Sequence, residues 1–419
     1  MMEQGTGPVV VAGAGQAAAQ LAQSLRQGGY AGPIVMIGDE PLPPYERPPL
    51  SKDYLAGKRD AARLLLRKPE FWAERQVEMR LGRRVIAVDT TERTVMLGGG
   101  ETIAYGRLVW AAGGRPRRLS CPGAELEGVH HIRAVADIDR LKAHLAQPGR
   151  RVVIIGGGYI GLEAAAVLRC LGHGVTLLEM QERLLARVTS PILSDFFLNL
   201  HRDNGVDVRL ATGVAELVGE GGRVTGVALS TGEILSADLV IVGIGIIPNV
   251  EPLMDAGLAC PNGVRVDAFC RTADPDILAV GDCALHPNIH AGAEIRLESV
   301  QNAIDQAKTA AAAILGTPQP YHALPWFWSH QYGVKMQTAG LCAGYDDIVI
   351  RGRADASPFT VAYLKQGRLV ALDCLDTPKD FMQGRGLVAV KPRMDRDRLG
   401  DPDIELGNLG IPDAASLGI

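Results

Sequence analysis

The sequence predicts an α/β protein with two Rossmann-like domains and, in addition, a smaller α+β domain at the C-terminal end. An apolar strand, a glycine-rich turn and a helix follow one another in Val9–Leu21. The same succession recurs in Val152–Leu168, about 140 residues later. This order is typical of the parallel sheet of a Rossmann-like domain. After Pro325, short alternating strands and more aromatic residues indicate a third domain of a different kind.

Length and composition agree with several globular domains. The chain has 419 residues, of which 47% are hydrophobic and 21% charged, and this is too long for one ordinary core. The net charge of −4 gives no reason to expect a nucleic acid or an anionic membrane as a partner. The N-terminus lacks the basic start and apolar core of a signal peptide.

The elements can be assigned in order from apolar runs and turn residues. Val9–Ala12 and Ile34–Ile37 read as buried strands, and a helix between them extends to about Gln27. Pro41–Lys52 contains five prolines, so we expect an ordered irregular loop there. Further strands are expected at Thr94–Leu97, Leu108–Ala112, Arg151–Ile155, Val175–Glu179, Val206–Leu210, Val224–Ser230, Leu239–Val242 and Ile277–Val280, and a further helix at Gln301–Leu315.

The second glycine turn has the pattern of a dinucleotide site. Gly156 permits a tight turn, Gly158 lets a pyrophosphate approach the backbone, and Gly161 lets the helix pack closely on the strand. The helix N-terminus would then face the phosphates. Glu179 ends the next predicted strand, at about the spacing expected for a ribose-binding carboxylate. A carboxylate would repel a 2′-phosphate, so NADH is favoured, although the nearby Arg183 and Arg187 leave NADPH open.

The first glycine turn is a variant of the same pattern. Gly13 and Gly15 are followed by Ala18 in the third position, and alanine still allows close helix packing. Gly38 stands where the acidic residue often falls. The ribose carboxylate must therefore be Asp39 or Glu40, and we favour Asp39.

The seven cysteines exclude several classes of site. They form no C-x-x-C pair and their number is odd, so neither a disulfide framework nor a thiolate metal site is expected. A reducing cytoplasm fits this usage best.

Several stretches together resemble one enzyme family, the FAD-dependent, NADH-linked ferredoxin reductases of bacterial oxygenase systems, of which putidaredoxin reductase and the biphenyl-dioxygenase ferredoxin reductase are members. The resemblance covers essentially the whole chain. The stretches that carry it are RPPLSK (Arg47–Lys52), GRLVWAAGGRPR (Gly106–Arg117), VVIIGGGYIGLEAAA (Val152–Ala166), ADLVIVGIGIIPN (Ala237–Asn249), AVGDCA (Ala279–Ala284) and PWFWSHQY (Pro325–Tyr332).

The resemblance implies a glutathione-reductase-like arrangement and assigns the two turns. An FAD-binding domain would comprise residues 1–115 and 246–322, an NADH-binding domain 116–245, and a C-terminal interface domain 323–419. The implied FAD-binding residues are Gly13, Gly15, Gln16, Ala17, Asp39, Lys52, Val85, Arg133, Asp282 and Val300. The implied NADH-binding residues are Gly156, Gly158, Tyr159, Ile160, Gly161, Glu179, Arg187 and Gly245.

The implied catalytic residues are Lys52, beside the flavin N5, and Glu163, which faces it near the nicotinamide. The implied reaction takes hydride from NADH onto FAD and passes single electrons to a [2Fe–2S] ferredoxin. That ferredoxin would feed a cytochrome P450 or a ring-hydroxylating dioxygenase. His330 departs from the family at a position where some members carry Asp, which leaves the choice of partner open.

Two alternatives remain at this point. A rubredoxin reductase would differ mainly in its docking surface. A flavin-bearing signalling protein related to apoptosis-inducing factor would bind NADH but pass electrons slowly. Acidic ferredoxins would require a basic docking face, for which the candidates are Arg115, Arg117, Arg118, Lys391, Arg393, Arg396 and Arg398.

Overall fold

A computed structural model describes residues 7–409 of the chain. In chain order, its helices are α1 (Gln16–Gln27), α2 (Pro69–Glu74), α3 (Val135–Leu145), α4 (Tyr159–Cys170), α5 (Pro191–Asp203), α6 (Glu251–Asp255), α7 (Val300–Ile314), α8 (Pro378–Val390) and α9 (Arg396–Gly400). Its first strands are β1 (Val9–Ala12), β2 (Ile34–Ile37), β3 (Val77–Arg80), β4 (Val85–Asp89), β5 (Thr94–Leu97), β6 (Thr102–Ala104), β7 (Arg107–Trp110), β8 (Gly114–Pro116) and β9 (Val129–His130).

The remaining strands also follow chain order. They are β10 (Arg151–Ile155), β11 (Gly174–Leu178), β12 (Asp207–Arg209), β13 (Val214–Glu220), β14 (Arg223–Leu229), β15 (Ile234–Ser236), β16 (Leu239–Val242), β17 (Ile246–Pro248), β18 (Val264–Arg265), β19 (Ile277–Ala279), β20 (Ala284–Asn288), β21 (Ala293–Ile295), β22 (Trp326–Gln331), β23 (Val334–Gly340), β24 (Asp347–Gly352), β25 (Phe359–Lys365) and β26 (Arg368–Leu375).

The first of two compact units comprises the described residues within Met1–Glu46, Ala61–Arg115 and Ile247–Ala323. Its central sheet is parallel, with strand order β19-β7-β1-β2-β3. The four residues of β1 are all buried, as expected for a strand covered on both faces. Helices α1 and α7 pack closely because their buried faces consist largely of alanine. The turn after β1 therefore opens at the carboxyl edge of a parallel sheet, where ligands of such folds bind.

The second unit comprises Arg47–Asp60, Pro116–Ile246 and the described residues of Leu324–Ile419. It repeats the parallel sheet with strand order β12-β11-β10-β16-β9. It also contains an antiparallel sheet of order β22-β23-β26-β25-β24. Helix α8 packs on this antiparallel sheet through Phe381 and Val388. The segment Arg47–Asp60 groups with this unit, although the chain on either side of it groups with the first.

Within residues 7–409, none of the helices combines the length and the hydropathy that a membrane crossing requires.

Candidate functional site

The first glycine turn lies between β1 and α1. Gly13 has a φ of +126°, and a Cβ atom there would overlap with the carbonyl oxygen of Ala111. A Cβ at Gly15 would meet nothing within 4 Å, and no side chain in the described part of the chain caps the N-terminus of α1 there. The turn therefore presents open space and free backbone N–H groups, which is what a pyrophosphate requires.

The other predicted FAD residues of the first unit lie near the ends of its strands and helices. Gly281 lies beside Asp282, and a Cβ at Gly281 would be 3.4 Å from the Cβ of Ala17. The Asp282 turn is therefore brought to the start of α1. Val85 belongs to the same buried cluster as Ala12 and Ile37, at the ends of β1 and β2. Gln16 begins α1, and Val300 begins α7.

The structure also bears on the choice between the two carboxylates after β2. The Tyr45 hydroxyl donates a hydrogen bond to Oε2 of Glu40 at 2.7 Å. Asp39 is exposed immediately beyond the strand. The engagement of Glu40 with Tyr45 favours Asp39 as the ribose ligand.

The second glycine turn has the same construction in the second unit. Gly156 has a φ of +114°, and a Cβ there would overlap with the carbonyl oxygen of Gly243. A Cβ at Gly161 would overlap with the carbonyl oxygen of Gly156, so the helix packs as closely as predicted. Gly158 again faces open space. The geometry fits a second dinucleotide at the N-terminus of α4.

Glu179 is held beside this turn by two backbone groups. Its Oε2 accepts a hydrogen bond from Gly157 N–H at 2.7 Å, and its Oε1 accepts one from Gln181 N–H at 2.8 Å. The carboxylate is therefore oriented by backbone donors, and each oxygen keeps a lone pair for a ribose hydroxyl.

The two nearby arginines differ in their freedom to reach a cofactor. The guanidinium of Arg183 donates to the carbonyl oxygens of Thr189 and Ala186 at 2.9 and 2.7 Å. It also donates to Oγ of Ser194 at 2.9 Å. Arg187 is exposed, and its Nη2 lies 4.0 Å from the Cβ position of Gly245. The structure thus brings together the predicted residues Arg187 and Gly245 and fixes Arg183 in the loop.

Tyr159 and Ile160 open α4 at the same turn. The ring of Tyr159 packs against that of Phe327, with their centroids 4.6 Å apart. Burial raises the pKa of Tyr159 well above its usual value, and the nearby Asp373 carboxylate adds to the effect. Tyr159 is therefore neutral at physiological pH. Ile160 remains 43% exposed, which leaves an apolar surface beside the turn.

The two predicted catalytic residues are in direct contact. Nζ of Lys52 lies 2.6 Å from Oε2 of Glu163, with exposed side-chain fractions of 18% and 4%. Oγ of Ser51 donates to the same oxygen at 2.6 Å, and Oγ of Ser329 donates to Oε1 at 2.7 Å. A buried carboxylate is costly unless it is paired and hydrogen-bonded, and Glu163 is both.

Sequence reasoning missed the hydroxyl groups of Ser51 and Ser329. Both lie in the stretches that carry the family resemblance, RPPLSK and PWFWSHQY, so their position in those stretches was the available signal. His330 follows Ser329 on β22. Partial desolvation, and then the positive charge of Lys52, lower the pKa of His330 below its ordinary value.

Arg133 also lies in the second unit. Its carbonyl oxygen accepts a hydrogen bond from Nη1 of Arg47 at 2.6 Å. This bond ties the loop before α3 to the segment that carries Lys52. It involves only the backbone of Arg133, so a role for the side chain of Arg133 stays a prediction.

Comparison with known proteins decides the family. Residues 7–307 match the family described as pyridine nucleotide-disulphide oxidoreductase, and residues 326–410 match the family described as reductase C-terminal. The chain belongs to the pyridine nucleotide-disulphide oxidoreductase family. It is therefore an oxidoreductase that uses a pyridine nucleotide, and FAD is the flavin that the family carries.

The relatives place this oxidoreductase among the ferredoxin reductases. It is 52% identical to a ferredoxin–NAD(P)(+) reductase of Sphingomonas sp., over 97% of this chain and 98% of the relative. It is 39% identical to putidaredoxin reductase of Pseudomonas putida, over 95% of each chain. A crystal structure of the covalent putidaredoxin reductase–putidaredoxin complex matches it with a TM-score of 0.93, covering 96% of this chain and 97% of that chain. The predicted family and fold class are confirmed.

Proposed function

We propose that the chain takes hydride from NADH onto FAD and passes electrons singly to a [2Fe–2S] ferredoxin, which serves a cytochrome P450 or a ring-hydroxylating dioxygenase. One combination of features carries this proposal. The chain has two glycine turns of the dinucleotide-binding pattern and an ion pair between the partly exposed Lys52 and the buried Glu163, whereas each of its seven cysteines is a free thiol. Disulfide reductases of the same fold need a redox-active cysteine pair, and this chain offers none in its sequence.

The proposed division of labour follows the two units. FAD, when bound, accepts two electrons together and releases them one at a time. The N-terminus of α1, with Gly13, Gly15, Gln16 and Ala17, would hold the FAD pyrophosphate. Asp39 would bind its ribose, with Asp282 and Val300 supplying further contacts. Lys52 would place a fixed positive charge near the reactive edge, and Glu163 would hold that charge in position.

The proposed nicotinamide cofactor is NADH. The Glu179 carboxylate is oriented by Gly157 and Gln181, and it would repel a 2′-phosphate. The three hydrogen bonds of Arg183, two to carbonyl oxygens of its own loop and one to Ser194 on α5, keep its charge from serving as a phosphate ligand. Arg187 and Gly245, which lie close to each other, would also contact the cofactor.

The proposed domains are FAD-binding for 1–115 and 246–322, NADH-binding for 116–245, and partner-binding for 323–419. The proposed location is the cytoplasm, because the cysteines are odd in number and form no C-x-x-C pair, a usage that fits a reducing compartment, and burial raises the thiol pKa of Cys270, Cys283 and Cys374. Such thiols are inert in a reducing compartment and need no disulfide partner.

Stopped-flow spectroscopy tests the proposal directly. The purified protein should be yellow, and heat should release FAD. NADH should bleach the flavin, and the reduced protein should then reduce members of a panel of [2Fe–2S] ferredoxins faster than it reduces rubredoxins. Preferential transfer to rubredoxins, or a colourless protein that FAD does not reconstitute, would contradict the proposal.

A further inference from the structure

A line of hydrogen bonds continues from Glu163 away from Lys52. Oγ of Ser329 donates to Oε1 of Glu163 at 2.7 Å, and Nε2 of Gln331 lies 3.2 Å from Oγ of Ser329. Oε1 of Gln331 lies 2.8 Å from Nε2 of His201 on α5. All four side chains are at most 4% exposed. The line therefore connects α4, β22 and α5 of the second unit without access to water.

The direction of every bond in this line follows from the charge of Glu163. An ionised carboxylate only accepts, so the single hydroxyl proton of Ser329 must point to Glu163. Ser329 can then only accept from its other neighbour, which requires the amide nitrogen of Gln331 to face it. The amide oxygen of Gln331 consequently faces His201, and Nε2 of His201 must carry the proton.

The environment of His201 agrees with that assignment. Burial lowers the pKa of His201, so the ring is neutral and carries a single N–H group. Among the residues that the structure describes, Nδ1 of His201 has no hydrogen-bond partner, as expected when the proton is on Nε2.

We propose that Ser329, Gln331 and His201 are positioning residues. Each donates a hydrogen bond to the next residue toward Glu163, and together they hold the Glu163 carboxylate and, through it, the ammonium group of Lys52. This proposal rests on the proposed roles of Lys52 and Glu163. Loss of the Ser329 donor leaves Oε1 of Glu163 buried without a partner, so the carboxylate turns or takes up water. The Lys52 ammonium then loses its fixed anchor and becomes more accessible.

Competitive acetylation of the FAD-loaded protein measures that accessibility. A trace of deuterated acetic anhydride labels the folded protein, unlabelled reagent completes the reaction after denaturation, and mass spectrometry gives the labelled fraction of Lys52. The exposed Lys58 of the same segment is the internal reference. In Ser329→Ala and Gln331→Met the Lys52/Lys58 ratio should rise about threefold to tenfold, the range that corresponds to the net contribution of one typical intramolecular hydrogen bond. Ser329→Thr keeps the hydroxyl and should restore a ratio near that of the parent protein.

Thr360→Val is a matched control, because it removes another fully buried hydroxyl of the same unit. That hydroxyl binds Asp380 and Thr377 instead of Glu163. An unchanged ratio in both Ser329→Ala and Gln331→Met would overturn the proposal, and so would an equal rise in Thr360→Val. Failure of the parent protein to reduce any ferredoxin would overturn the proposed function but leave these ratios unaffected.

The rate of flavin bleaching by NADH gives a second readout. The rate should fall in Ser329→Ala and Gln331→Met, and the variant with the larger rise in labelling ratio should show the larger fall. In Ser329→Thr the rate should return to near that of the parent protein. A labelling change without any change in the bleaching rate would show that the line does not position Lys52 for the reaction.

Discussion

Oε2 of Glu163 lies 2.6 Å from Nζ of Lys52, although 111 residues separate the two in the chain. Ser51 binds the same oxygen, so a residue next to Lys52 also fixes the partner of Lys52. Removal of one member of a buried pair leaves the other uncompensated. The contact therefore links the catalytic proposal to measurable changes in both rate and stability.

Lys52→Ala should slow hydride transfer about 100-fold, the order of loss seen when one electrostatic stabiliser is removed from an active site. FAD should remain bound, because the first glycine turn is unchanged. Stopped-flow bleaching of the flavin measures the rate. Lys58→Ala, at an exposed position of the same segment, should behave as the parent protein. Equal rates in the parent and Lys52→Ala would make Lys52 a simple loop residue.

Glu179→Gln should narrow the preference for NADH over NADPH by about tenfold, because the repulsion of a 2′-phosphate is lost. The ratio of kcat/KM for the two nucleotides measures it. Arg183→Ala is the comparison variant: it should lower stability and leave the ratio unchanged, since Arg183 binds its own loop. Efficient use of NADPH by the parent protein would refute the role of Glu179.

Arg351→Met should lower the free energy of unfolding by about 3 kcal/mol, since a buried cation with several acceptors is removed. Arg351 is 3% exposed and donates to the carbonyl oxygens of Leu399, Asp401 and Ile404. Urea unfolding should show the loss, and limited proteolysis should cut first near these acceptors. Arg353→Met, in an exposed ion pair with Asp355, should leave the midpoint unchanged. A similar urea midpoint for both variants would mean that the buried hydrogen bonds of Arg351 do not contribute to the free energy of unfolding.

Acid should destabilise the second unit between about pH 6.5 and pH 4. Burial lowers the pKa of His130 to about 4, and the neighbouring His144 contributes. The unfolded chain then binds more protons than the folded one in this window, so stability is present above the unfolded pKa and falls by up to about 1.4 kcal/mol per pH unit as the pH drops. Urea midpoints across this range measure the slope, and His130→Phe should flatten it. An unchanged slope in that variant would assign the acid sensitivity to other groups.

Arg393→Glu should lower ferredoxin reduction at low salt and leave NADH–ferricyanide activity intact, because rim charges act mainly on the association rate. Of the predicted basic residues, Arg115 is paired with Glu251, Arg118 with Glu125 and Arg396 with Asp347. The guanidinium of Arg393 is exposed, and it forms no ion pair within residues 7–409. Equal losses in both assays would indicate a flavin or folding defect, and no loss in either would exclude this face.

Apolar runs and glycine spacing were sufficient to predict the framework of both parallel sheets. The predicted strands Val9–Ala12, Ile34–Ile37 and Leu239–Val242 are found with the same bounds, because each is an uninterrupted apolar run that ends in a turn. Leu108–Ala112 is found as Arg107–Trp110, and the predicted helix Gln301–Leu315 as Val300–Ile314. Backbone hydrogen bonding determines where a strand or helix ends, and the hydrophobicity of the side chains indicates those end points only indirectly.

The candidate site was predictable only where a local pattern carries the chemistry. Glu179 follows a strand at a fixed spacing from Gly156, so its role can be inferred from one stretch. The line from Glu163 through Ser329 to His201 has no such spacing, since α4, β22 and α5 come together only in the folded unit. Serine, glutamine and histidine are too common for their presence alone to indicate a buried network.

The two glycine turns carry separate and equivalent steric limits. Gly13 lies against the carbonyl oxygen of Ala111, just after β7, and Gly156 lies against that of Gly243, just after β16. A Cβ atom at either position would overlap with backbone of its own unit. With FAD at the first turn and NADH at the second, as proposed, a side chain at Gly13 should give a colourless protein, whereas one at Gly156 should give a yellow protein whose flavin NADH no longer bleaches. The colour of the purified protein should therefore distinguish a substitution at Gly13 from one at Gly156.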